Sequence, residues 1–185
     1  FKNGYSVIAS GWQWDVLRNT NLLGLEAPEA EVISGPEKGL AMVEIRPDRI
    51  QHSRLLAVRV HQPNPAAKEN DLAKLYVRHW EDDSPKLINR EEWEFGTLIG
   101  GKLEPSREHI FLKNGFQPGL IYHLVYSPER CPVVGVGLLA VREIASFLRA
   151  PSRLNPMPKG FDWIFGYGVS QTGRLLRHLM YLGLN

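Results

Sequence analysis

The feature that most constrains the fold is a change of texture, met twice along the chain. From about Ala27 to Gly119, prolines and glycines punctuate short runs in which apolar and polar residues alternate, as in Leu75-Tyr76-Val77-Arg78-His79-Trp80. Period-two alternation places successive side chains on opposite faces of a strand, the pattern of an antiparallel sheet with one wet face. Runs of this kind at residues 41–45, 55–60, 73–80 and 109–112 predict a β-rich region. The flanks read differently. Residues 5–9 (YSVIA), 120–126 (LIYHLVY) and 161–167 (FDWIFGY) are apolar, partly β-branched or aromatic runs that read as buried strands. Between the last two, Leu138, Val141, Ile144, Ala145 and Leu148 recur at helical spacing, with Arg142 and Glu143 opposite and Pro151 as terminator. After the third run, Leu175, Leu176, Leu179 and Met180 oppose Arg174, Arg177 and His178 on a second helix over residues 172–182. Strand, helix, strand, helix in that order predicts an α/β fold with a mostly parallel sheet and flanking helices. The chain then divides into residues 1–26 (a core strand and a pocket loop), a β-rich insertion or lid over 27–119, and a strand–helix unit over 120–185.

Composition narrows the function classes. At 185 residues there is room for one domain with a sizeable core. The 22 basic and 20 acidic residues are interspersed, with no Lys/Arg block, which argues against electrostatic binding of nucleic acid. The single Cys131 excludes an internal disulfide framework and a Cys-rich zinc site. The longest apolar run, residues 133–141, is far short of the ~20 residues of a membrane span. The chain begins at Phe1 and ends at Asn185 without polar, fraying ends, and it reads as a segment of a longer protein; neither compartment nor oligomeric state is legible from it.

The segment that carries chemistry is Gly166-Tyr167-Gly168-Val169-Ser170-Gln171-Thr172-Gly173. It places Gly-x-Ser between an apolar run and an amphipathic helix, with a further glycine three residues on. A nucleophilic serine needs such a context, because a sharp strained turn lifts its hydroxyl to the positive end of the helix. Gly168 and Gly173 remove side chains where backbone must pass closely, and the Gln171 N–H would face a developing oxyanion. The usual motif has glycine two residues after the serine; here Thr172 stands there. The bland alternative is a serine that only caps the helix.

These residues, with GYSVIASGWQWDV, LIYHLVYSPE and GVGLLAVREIASFLR, resemble a bacterial family of α/β-hydrolase domain proteins. The resemblance rests on Gly-Trp-Gln-x-Asp after the first strand, on Gly-x-Ser-Gln-Ser/Thr-Gly-Arg, and on the Tyr-x-Gly-x-Asn ending, and it spans nearly the whole chain. It implies a serine hydrolase with Ser170 as nucleophile, acting on a small-molecule ester or related acyl bond through an acyl-serine intermediate, without metal or other cofactor. The triad order in that fold is serine, acid, histidine. His178 is about 12 Å along the helix from Ser170. Asp162 is about 26 Å back along an extended run. The acid and histidine are therefore expected beyond Asn185. The alternative from another class is a non-catalytic domain that holds an anion at the same helix N-terminus.

Trp12, Gln13 and Trp14 follow the first strand and read as the wall of a substrate pocket, with Gln13 as hydrogen-bond donor, or equally as an aromatic plug. Gly135-Val136-Gly137-Leu138-Leu139-Ala140 matches a dinucleotide fingerprint, but the strand before it is weak and close packing at a helix start is the better account. His52, His61, His79, His109 and His123 show no metal-ligand spacing.

Overall fold

In β1 (Ala41–Ile45), Ala41, Val43 and Ile45 turn inward while Met42 and Glu44 face out, so the period-two pattern is realised residue by residue. The protein is described by a computed structural model over residues 4–17, 21–30, 39–57 and 61–185. The remaining strands are β2 (Gln51–Leu55), β3 (Lys74–Arg78), β4 (Lys86–Ile88), β5 (Trp93–Ile99), β6 (Lys102–Phe116) and β7 (Ile121–Tyr126). A single 3₁₀ turn, Arg90–Glu92, precedes β5. They form one sheet in the order β1-β7-β3-β4 and another in the order β2-β6-β5. Every pairing is antiparallel. Of the run at residues 55–60, Leu55 ends β2, and residues 58–60 lie outside the described residues.

One core joins the two sheets. Val43, Leu124 and Leu75 stand side by side across β1, β7 and β3. The other sheet contributes Trp93, Ile110, Leu112 and Phe116. Phe116 meets Tyr122 edge-on at 5.0 Å, and Phe95 lies 6.1 Å from Tyr126. Each such side chain contributes about 1.5–3 kcal/mol through burial, which is why the inward set is almost wholly apolar. The Tyr126 hydroxyl donates to the Asn64 carbonyl at 2.7 Å, and burial pushes its phenol up to about 12.

Among the described residues every ladder is antiparallel, in place of the mostly parallel α/β sheet expected from the sequence, and this corrects the fold class. The run at 120–126 enters as β7, the inner strand between β1 and β3 in an antiparallel sheet. An inner strand covered on both faces reads as continuously apolar in either kind of sheet, so its composition did not distinguish the two. Residues 5–9 and 161–167 belong to no strand or ladder among the described residues. Their apolar side chains stand open, Trp163 at 79% and Tyr167 at 89% exposure. The β-rich stretch runs further than residues 27–119 and takes in β7. It is a unit with its own core, Glu29–Cys131, and the chain up to Pro28 and from Pro132 makes the other unit.

The second unit contains both helices, α1 (Val136–Arg149) and α2 (Gln171–Tyr181), close to where periodicity predicts them. The start of α1 lies against backbone: a Cβ added at Gly137 would be 2.0 Å from the Trp12 carbonyl oxygen. The Gly-x-Gly-x-x-Ala pattern is thus occupied by packing. Gly137→Ala is expected to destabilise the protein by about 1–3 kcal/mol, since backbone on one side and helix on the other leave no cheap relief. Leu139→Ala on the exposed side of α1 should shift the urea midpoint little, and equal midpoints for the two variants would contradict the close approach. The last carbonyls of α1 are taken up by buried Asn155, whose amide donates to Phe147, Leu148 and Ala150 at 3.0, 2.8 and 3.2 Å. Those groups would otherwise be orphans of the helix end. The Phe161 N–H then donates to the Leu148 carbonyl at 3.0 Å, fixing where the run toward Ser170 begins.

Candidate active site at Ser170

The amphipathic pattern of residues 171–181 dictates α2, and Gly168 and Gly173 dictate how the chain enters it. A Cβ at Gly168 would lie 2.6 Å from the Thr172 carbonyl carbon, and one at Gly173 would lie 3.2 Å from the Gly168 oxygen. Two backbone passes touch there: Gly168 leaves no room for a side chain, and Gly173 leaves little. Between them Ser170 adopts φ 53°, ψ −113°, and it is the one non-glycine residue at positive φ among the described residues. Such a conformation costs a side-chain-bearing residue about 1–3 kcal/mol and persists only where its surroundings enforce it.

Thr172 supplies much of that enforcement. Its Oγ1 accepts from the Val169 N–H at 2.8 Å and donates to the Val169 carbonyl at 2.9 Å. The Thr172 N–H reaches the same carbonyl at 3.2 Å, and the Arg174 N–H bonds the Ser170 carbonyl at 3.0 Å. The residue that departs from the usual spacing therefore braces the turn, and the glycine displaced to position 173 still meets Gly168. In the sequence Thr172 is a departure in spacing, and the one sign of its bracing role is a hydroxyl two residues after the serine.

Ser170 caps α2 by position but not by bond. Its hydroxyl makes no capping hydrogen bond and the side chain is exposed. The capping reading of this serine thus lacks the bond that would define it. The Gln171 N–H is the first of α2, with no acidic side chain in that first turn to compete for it. Trp12, Gln13 and Trp14 are half-buried in the same unit. The Gln13 amide donates to Asp15 at 2.6 Å, and the Gln13 carbonyl accepts from the Leu25 N–H at 2.9 Å, so this loop is internally braced.

No hydrogen-bonded base accompanies the serine among the described residues. His178 lies two turns along α2, where its ring faces Tyr181 at 6.2 Å. His123, the histidine on β7, is held in the Glu29–Cys131 unit: its Nε2 is 3.0 Å from Glu44 Oε2. Glu44 in turn accepts from Arg46 at 2.7 Å, and Arg46 also reaches Glu81 at 2.6 Å. The Arg46 guanidinium, followed by the His123 ring, holds the Glu44 carboxyl at about 2 against an ordinary 4.5. A depressed carboxyl contributes stability that is complete above 4.5 and is lost as pH falls toward 2. Because Glu44 is 38% exposed, solvent screening limits that contribution to about 1 kcal/mol or less. Glu44→Gln should therefore flatten the loss of stability across that pH window and leave neutral stability lower by a similar amount. An unchanged acid limb in urea titrations would contradict it.

The other candidate ligands serve local structure. His52 Nδ1 is 3.3 Å from the Leu112 carbonyl, and His109 Nδ1 is 3.0 Å from Ser106 Oγ. No group of three His, Cys, Asp or Glu side chains fit to hold a metal occurs among the described residues. No helix among them is long and apolar enough to cross a membrane. Comparison with family models, with curated proteins and with solved structures gives no match to this chain.

Proposed function

We propose that the protein is a serine hydrolase in which Ser170 attacks an ester or related acyl bond and forms an acyl-serine intermediate. The observation that carries this reading is the strained backbone of Ser170 combined with a hydroxyl left uncommitted. A cap or an ordinary turn gains nothing from φ 53°; a nucleophile gains exposure, and a hydroxyl aimed clear of its own helix. In the proposed step Ser170 Oγ adds to the acyl carbon as its proton passes to a base. The carbonyl oxygen gathers charge beside the Gln171 N–H at the positive end of α2, and the alcohol then leaves with a proton. Water reverses these steps to release the acid. Trp12, Gln13 and Trp14 are the proposed substrate wall in the same unit.

A non-catalytic domain holding an anion at α2 is less well supported, because helix N–H groups bind anions without any strain at the capping residue. The deciding experiment treats the protein isolated from its native source with a fluorophosphonate and maps the adduct by mass spectrometry. Label on the peptide containing Ser170, absent in Ser170→Ala, is the expected result. Label confined to other serines, or none, would sink the reading.

A further inference from the structure

We infer that the Glu29–Cys131 unit binds a small organic anion, a carboxylate or phosphate carried on a flat apolar body, in the pocket between the 66–71 loop, the 3₁₀ turn, β5 and β6. The cavity is about 300 Å³, the lower end of the range of small-ligand sites. Lys68, Arg90 and Arg107 converge on it from three separate segments, Asp71 is the one carboxylate of the lining while Glu129 pairs with Arg107, and Phe95 with Ala66 supplies the apolar surface.

What marks this as a site is that the frame is already rigid. Arg90 lies over the Trp93 ring, its guanidinium carbon 4.2 Å from the centroid, and also donates to the Trp93 carbonyl. Arg107 is steadied by Glu129 at 2.7 Å. The loop opposite is pinned by Asn70, whose amide donates to the Ala67 and Ser127 carbonyls at 2.7 and 3.0 Å while its oxygen accepts the Ser127 N–H at 2.7 Å. Below it the Ala66 N–H reaches the Arg107 carbonyl at 2.7 Å. Two guanidinium groups held in place lose little freedom when an anion arrives, and their planar forks match the paired oxygens of carboxylate or phosphate. Both guanidinium groups keep further N–H donors besides those already used, since each carries five. Lys68, exposed and on the loop, adds charge without being needed for the frame.

The test titrates the whole chain with benzoate, phenyl phosphate and benzyl alcohol, following amide shifts of Ala66, Ala67 and Phe95 by NMR. Both anions should bind and benzyl alcohol should not, and the tighter of the two anions identifies the acidic group preferred. Arg90→Met should weaken binding about tenfold or more, as expected for a lost hydrogen bond to a charged group. Because Arg90 also braces Trp93, two exposed positions give an answer independent of folding. Lys68→Gln should weaken binding about two- to fivefold, and Asp71→Asn should strengthen it by a similar factor. Benzyl alcohol binding as well as the anions, absence of binding by both anions, or identical affinities for Lys68→Gln, Asp71→Asn and the unaltered chain would each overturn the inference.

Discussion

Residues 1–185 purified alone are expected to hydrolyse a short-chain nitrophenyl ester no faster than their Ser170→Ala variant. An unassisted serine hydroxyl is a weak nucleophile at neutral pH and needs a base within about 3 Å to become a strong one. Among the described residues no side chain hydrogen-bonds the Ser170 hydroxyl; His178 faces Tyr181, and His123 is engaged by Glu44. Losing base and acid together costs about 10⁴ to 10⁶ in turnover, which removes any rate distinguishable from background. Turnover that depends on Ser170 and approaches that of an ordinary esterase would place a base within these residues. His123→Ala would then be the next variant to assay.

Leu124→Ala should lower the stability of the protein by about 2–5 kcal/mol, a large share of the ~5–15 kcal/mol typical of a folded domain. Leu124 is 0% exposed and stands between Val43 and Leu75 on the inner strand, where antiparallel partners on both sides hold the backbone and prevent collapse into the space left. Met42→Ala, on the wet face of β1 at 62% exposure, should change stability by less than about 0.5 kcal/mol. The comparison is read as urea midpoints at fixed pH. A loss below 1 kcal/mol at Leu124 would mean that the two sheets do not close on this side chain.

Part of the local structure is legible in the sequence. Alternation at residues 41–45 and 73–80 marks β1 and β3, and helical spacing gives α1 and α2 nearly to their ends, whereas no such run marks β4 or β5. What sequence did not carry was pairing. An apolar run states that a segment seeks cover, not which strand supplies it or in which direction, and so residues 120–126 were placed in the wrong kind of sheet. The turn at Ser170 was half legible: Gly-x-Ser located it, and Gly168 and Gly173 marked the close approach. The brace from Thr172 depends on where the Val169 N–H and carbonyl point, which is fixed only once the turn exists. The anion pocket left no motif, because Lys68, Arg90 and Arg107 are far apart in sequence and each looks like an ordinary surface charge.

The way the chain leaves for the β-rich unit and comes back has a consequence for how the protein tolerates change. The Pro28 carbonyl accepts the Val133 N–H at 2.9 Å, and the Ala30 N–H donates to Cys131 at 2.8 Å. Glu29 adds its carboxylate to Arg130 and to the Cys131 N–H. Departure and return are thus stapled side by side, and all that lies between is, for the helical unit, one closed loop. Closing a loop costs only about 0.6 kcal/mol more for each doubling of its length. Exchange of the entire excursion for a short turn is therefore expected to change the closure cost at this neck by only about 3 kcal/mol.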